Sequence, residues 1–185
     1  MTVSLTSLKQ SLHAGLTAVA QGADPALIYH SNAQLWASHP FNQLQGLEAI
    51  RRVWSQLRYA LPDMQRRDQI FVAGNSKADA RMPDDLEGRV LVASMGHYQG
   101  SFLNNLCGIP ATHGVVNLRV CEVHHLVEGK IAQSYVMLDL LDLMGQAGCW
   151  PIAPSLGAEG MWSGPATTDG VRLHTSDPAG GQTAF

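Results

Sequence analysis

The stretch VVNLRVCEVHHLVEGKIAQSYVMLD, Val115 to Asp139, decides the fold. It reads as two strands, Val115 to Leu126 and Ile131 to Asp139, folded back on each other at Glu128-Gly129, a pair suited to a tight hairpin. Within the first strand, Leu118-Arg119-Val120-Cys121 is largely apolar on both sides of the alternation. A strand of that kind belongs to a sheet covered on both faces.

Further strands lie upstream at Arg89 to Gln99, where Val90-Leu91-Val92-Ala93 is again apolar on both sides, and at Gln65 to Ala73. Between Gln99 and Gly114 runs a loop too long for a tight hairpin, the kind of segment that often carries function. Before the strands, Leu47, Ile50, Trp54, Leu57 and Leu61 recur at helical spacing, with Arg51, Arg52 and Arg58 on the other side and Pro62 as the stop. Gln34 to Ala37 reads as a strand ended by the turn His39-Pro40. At the start, Leu5, Leu8, Leu12, Leu16 and Val19 predict an amphipathic helix closed by Gly22-Ala23-Asp24-Pro25. A competing reading takes Leu12 to Ala20 as a short signal core; His13, Gly15 and Thr17 interrupt it.

Two helices followed by antiparallel strands imply an α+β domain over residues 1–148, closed by a short helix, Leu140 to Ala147. Residues 149–185 hold six glycines and four prolines and no second core, so they read as an extension, with Trp150 and Trp162 available to pin it. Two helices cover one sheet face and are too few for the other. The expectation is a homodimer through that second face.

Twelve Lys+Arg against fifteen Asp+Glu leave a net charge of −3 with no basic block, which argues against a nucleic-acid partner. The most apolar stretch, Val136 to Met144, is broken by Asp139 and Asp142, against the roughly 20 apolar residues a membrane span needs. The three cysteines show no CxxC or tight Cys/His spacing, which suggests a reducing, cytoplasmic setting and no zinc knuckle.

No nucleotide, metal or nucleophile motif is present, so the chemistry must rest on isolated acids, bases and donors. Asp139 ends its strand on the face of Gln133, Tyr135 and Met137, where apolar neighbours would raise its pKa into general-base range. The same position, just before Leu140-Leu141-Asp142, also suits a helix cap. His97 is a candidate pocket donor or acid, and Tyr98 and Tyr135 are candidate phenolic donors. Trp36 and Trp54 are core residues or aromatic walls of a pocket. Of His124 and His125 only one can enter a shared site, and scattered histidines of this kind rarely make a metal centre. Arg119 needs a partner, with Gln133 or Asp139 in reach and Glu122 on the opposite face.

The order of elements, together with HPF at 39–41, LQGLEAI at 44–50, ALPD at 60–63, GIPAT at 108–112, EVHHLVEGKI at 122–131 and DLLDLMGQ at 139–146, resembles the SnoaL-like polyketide cyclase family of the nuclear-transport-factor-2-like superfamily. The resemblance spans about residues 25–148, and the tail from Trp150 to Gly170 resembles an extension seen in one branch of that family. It implies a cone-shaped, cystatin-like α+β barrel in which helices pack on a strongly curved antiparallel sheet around one deep apolar pocket, usually as a dimer. It also implies aldol-type ring closure on an apolar carbonyl compound without cofactor or metal. In the family pattern dGkIxExWxxxD the acid/base aspartate falls on Asp139, while Gln133 replaces the acidic residue and Tyr135 the Trp. The pocket set expected on this basis is Asp139 and His97 for catalysis, with Tyr135, Trp36, His39, Tyr98, Trp54, Gln133, Met137 and His124 against the substrate. The alternative is a binding protein that holds a small molecule without converting it.

Overall fold

The structure, a computed structural model, describes residues 5–76 and 89–153. The first helix, α1 (Leu5–Ala20), buries Leu12, Leu16 and Val19, so the would-be signal core is packed into the body of the domain. A short 3-10 turn at Pro25–Leu27 follows, capped by Asp24, whose side chain accepts the Ala26 N–H. Then come β1 (Tyr29–Ala37), β2 (Gln43–Gln45), α2 (Leu47–Ala60), β3 (Gln65–Asn75), β4 (Val90–Ser101), β5 (Val115–Val127), β6 (Lys130–Leu138) and α3 (Leu140–Gln146). The α2 stripe of Ile50, Trp54 and Leu57 is buried as its periodicity requires, and Pro62 follows one residue after the cap Leu61.

The sheet has six strands in the order β2-β1-β6-β5-β4-β3. It is mixed, not wholly antiparallel as expected: β1 pairs β6 in parallel, and the other pairs are antiparallel. After β1 and β2 the chain crosses over through α2 to the far edge of the sheet. It returns as the meander β3-β4-β5-β6, which brings β6 alongside β1 in the same direction. A parallel pair needs such a crossover and cannot be joined by a tight turn. The hairpin at Glu128-Gly129 is formed with φ of 49° and 79°, the left-handed pair a two-residue turn demands.

Alternation along the strands sorts side chains onto two faces. The inner face, under the helices, takes Phe71 from β3, Val92 and Tyr98 from β4, Val116, Leu118 and Val120 from β5, and Leu138 from β6, all buried with Trp54 and Leu57 of α2. Each large apolar side chain so buried contributes roughly 1.5–3 kcal/mol. Register shifts at Asp68/Ile70 and His125/Leu126 bend the strands. At the first of them the backbones come so close that a Cβ on Gly96 would stand 2.1 Å from the Arg67 carbonyl oxygen, so only glycine fits.

The long 102–114 loop is a plug. Phe102, Leu106 and Ile109 are buried, and the Leu103 N–H donates to the Ala60 carbonyl at the end of α2. Trp150 lies against Gly145, while Trp162 and the rest of 154–185 lie outside the described residues. Among the described residues no helix is long and apolar enough to cross a membrane.

Candidate functional site

The expected pocket residues do not converge on one cavity, because residues adjacent on a strand face opposite ways. Tyr98, Trp54 and His124 point into the interior, buried at 1%, 5% and 0% exposure. Asp139 and His39 line a groove on the other side of the sheet together with Met137. Trp36 and Tyr135 line a second groove, which shares Met137 with the first. His97, paired in register with Arg119, and Gln133, which neighbours Tyr135 at i−2, take that outer side as well. The expectation of one deep pocket lined by all ten residues is therefore corrected to two separate regions.

Among the described residues the interior beside Glu122 holds little space. Beside Glu122, between α2 and the sheet, a cavity of about 20 Å³ is lined by Tyr29, Trp54, Tyr98 and apolar neighbours, room for one water molecule. Around it lies a charged network that sequence reasoning missed. The Arg66 guanidinium meets Glu122 Oε2 at 2.6 Å and Asp68 Oδ2 at 2.8 Å, and donates to Ser94 Oγ at 2.7 Å. The Tyr98 hydroxyl donates to Glu122 Oε1 at 2.6 Å, and Ser94 Oγ donates to Oε2 at 3.0 Å. His13 Nε2 of α1 lies 3.1 Å from Asp68 Oδ2. His124 Nδ1 bonds Ser134 Oγ at 2.8 Å, and its Nε2 stands 3.5 Å from Glu122 Oε2 without a hydrogen-bond partner. Burial alone would push the Glu122 carboxyl up, but the Arg66 charge, and after it the nearby His124 and the Tyr98 hydroxyl, hold it well below the usual carboxylate range. Burial and the Glu122 charge push the Tyr98 hydroxyl well above its ordinary value, so it stays a proton donor. The available signal was Arg66 and Asp68 at i, i+2, one strand face carrying both signs of charge.

The open volume lies on the outer face. A groove of about 560 Å³ is lined by Ser38, His39, Met95, Arg119, Val120, Cys121, Met137, Leu138, Asp139, Leu140 and Leu141. It runs into a second groove of about 330 Å³ that shares Ser38, Cys121 and Met137 and reaches Trp36, Val123 and Tyr135. Strand register builds this surface in rows: Met95 opposite Cys121 opposite Met137, and Val123 opposite Tyr135 beside Trp36. The Trp36 and Tyr135 rings stack with centroids 4.8 Å apart and planes 9° from parallel. Volumes of this size suit a small organic ligand.

At the end of the larger groove sits Asp139. Its backbone N–H continues the ladder beyond β6 by donating to the Arg119 carbonyl at 3.0 Å. Its Oδ1 accepts the Asp142 N–H at 3.0 Å, so the helix-cap reading is realised. Its Oδ2 lies 3.3 Å from Arg119 Nη1, and Arg119 Nη2 lies 3.7 Å from Asp142 Oδ1. Asp139 is thus the partner Arg119 required, and Glu122 faces the interior. Burial and the Arg119 charge lower the His97 imidazole pKa below its ordinary value, which favours the neutral ring.

Among the described residues no group of three His, Cys, Asp or Glu side chains is arranged to hold a metal ion. The parity of β5 separates His124 from His125, whose Nδ1 lies 3.4 Å from Arg89 Nη1.

No family model matches the chain, and no curated protein matches it. Solved structures do. SnoaL-like polyketide cyclase folds are represented by a proposed cyclase of that name from Jannaschia sp. CCS1, with TM-score 0.55, 16% identity, and coverage of 82% of this chain and 99% of that one. IdmH, a proposed polyketide cyclase from Streptomyces antibioticus, matches with TM-score 0.58 and 17% identity over 78% of this chain and 99% of that one. AclR, a proposed hydroxylase from Streptomyces galilaeus, matches with TM-score 0.58 and 14% identity over 82% of this chain and 87% of that one. The chain has the α+β fold of the SnoaL-like polyketide cyclases.

Proposed function

We propose that this protein is a cofactor-independent enzyme of the cyclase, isomerase or lyase type, acting on an apolar carbonyl compound held in the outer groove. One observation carries the reading: a carboxylate and a guanidinium, Asp139 and Arg119, 3.3 Å apart at the end of an apolar groove of about 560 Å³. That pairing suits proton abstraction alpha to a carbonyl. Asp139 Oδ2 takes the proton, and the electron pair moves onto the carbonyl oxygen, where Arg119 stabilises the enolate charge. In an aldol step the enolate carbon then bonds to a second carbonyl carbon, and the resulting alkoxide takes the proton back from Asp139. His97 stands opposite Arg119 in the register, outside the lining of either groove.

The neighbours named as polyketide cyclases support the substrate class at the level of fold alone. A second copy packed on the outer sheet face would roof both grooves and exclude water, and we propose a homodimer of that form. The exposure of Met137 at 70% and Tyr135 at 51% supports it.

The test is hydrogen–deuterium exchange at the alpha carbon of apolar 1,3-dicarbonyl compounds, followed by NMR in deuterated buffer. Wild type accelerates exchange, and Asp139→Asn abolishes the acceleration. Exchange at an equal rate in both proteins would overturn the assignment. One observation favours the alternative, a binding protein without turnover: both Asp139 oxygens already have partners, Asp142 N–H and Arg119. On that reading a ligand protects the groove residues from exchange and is recovered unchanged.

A further inference from the structure

We infer that Gln146 is a positioning residue for the Asp139 site, acting through Asp142 and Arg119; this rests on the reading of the groove given above. The Gln146 carboxamide does three things at once. Its Oε1 accepts the Asn117 N–H at 2.9 Å, and its Nε2 donates to the Asn117 carbonyl at 2.9 Å and to Asp142 Oδ2 at 2.8 Å. Pairing between β5 and β6 ends at Val120 and Leu138, so the Asn117 backbone lies past the end of β6. The side-chain amide of Gln146 stands in for the missing strand neighbour, giving and taking one hydrogen bond as a paired residue would.

Spacing makes this a clamp. Asn117 and Arg119 lie two residues apart on one face of β5, roughly 6.7 Å by strand geometry. Asp142 and Gln146 lie one turn apart on α3, roughly 6 Å by helix geometry. The two intervals match, so seating Gln146 on Asn117 brings Asp142 to Arg119, at 3.7 Å between Oδ1 and Nη2. The fork of Arg119 then spans Asp142 and Asp139, which fixes the plane of the guanidinium and holds Nη1 beside Asp139 Oδ2 at the end of the groove. Leu143 is the one fully buried residue of α3, with Leu140 and Met144 packed part-buried against the core. The carboxamide adds a polar lock to this packing, fixing the register of α3 along β5.

The experiment reads the Arg119 side chain directly, by 15N relaxation of its Nε–H group in the intact protein with Asp142→Ala, Gln146→Ala, Gln146→Glu and the Asp142→Ala/Gln146→Ala double variant. In wild type the expected order parameter is that of a rigid site, about 0.8, falling below about 0.6 in Asp142→Ala and both Gln146 variants. Glu at 146 can still accept from Asn117 but can no longer donate. Asp142→Ala leaves the Gln146 clamp on Asn117 in place, and amide protection at Leu143 checks that α3 stays docked. The double variant should match Asp142→Ala, because the influence of Gln146 on Arg119 runs through Asp142. An Arg119 order parameter unchanged in Asp142→Ala, or a further drop on adding Gln146→Ala, overturns the inference. These readouts need no substrate, so they stand or fall separately from the exchange assay on Asp139. In that assay Asp142→Ala should lower the maximal rate by about tenfold or more with the half-saturating concentration little changed.

Discussion

The Tyr98 hydroxyl donates to Glu122 Oε1 at 2.6 Å, both residues buried, with Arg66 on the other carboxylate oxygen. Both carboxylate oxygens, the guanidinium and the hydroxyl are thereby satisfied, the condition under which buried charges are tolerated. Among the described residues, the space between α2 and the sheet that the family resemblance assigns to substrate holds a structural ion network and a cavity of about 20 Å³.

Glu122→Gln should therefore be costly: about 3–5 kcal/mol, because Arg66 loses its closest countercharge while staying buried. Equilibrium urea unfolding measures it. A loss under 1 kcal/mol would mean that the pair contributes little.

The same residue sets an acid limit. With its pKa lowered in the folded state, Glu122 binds fewer protons folded than unfolded, so its contribution is complete above the unfolded value of about 4.3 and is lost as pH falls towards the folded value. Wild type should lose stability steadily below about pH 4.5, and Glu122→Gln should show a flatter profile over that interval. Thermal melting from pH 2.5 to 7 compares the two; parallel curves would contradict the assignment.

Asp139→Asn separates catalysis from capping. Asn caps a helix about as well as Asp, and the half-exposed Arg119 pair is weak, so stability should fall by less than about 1 kcal/mol while alpha-carbon exchange drops by 10²-fold or more. Asp139→Ala, which loses the cap, should cost about 1 kcal/mol further.

Removing the Arg119 charge should be visible at His97. Burial and Arg119 both lower that imidazole, so the NMR titration midpoint of wild type should lie below about 6.5 and rise part of the way back in Arg119→Gln. An unmoved midpoint would leave burial as the sole cause.

For the outer face, sedimentation should give wild type at twice the chain mass and Tyr135→Lys as a monomer, since the substitution buries a charge against the partner's sheet. A wild-type monomer at all concentrations would remove the proposed roof over the grooves.

Much of the architecture was written in the sequence by itself. The apolar stripe of α2 and the stop at Pro62, the Leu12, Leu16 and Val19 face of α1, and the Glu128-Gly129 turn are local signals, because helix period and left-handed turn residues act over a few positions. The Asp139 cap was legible for the same reason: the cap and the N–H it holds are three residues apart. What only the tertiary structure decided was parity and partnership. Strands β4 and β5 are apolar on both sides, so nothing local says that Tyr98, Glu122 and His124 face inward while His97, Arg119 and Cys121 face out. The choice belongs to long-range register, to the bulges at Asp68 and His125 that reset it, and to the helices that cover one face. For the same reason the parallel pairing of β1 with β6 and the meeting of Arg66 with Glu122 were out of reach. Each joins segments far apart in the chain, and no local period encodes which distant strand a residue will face.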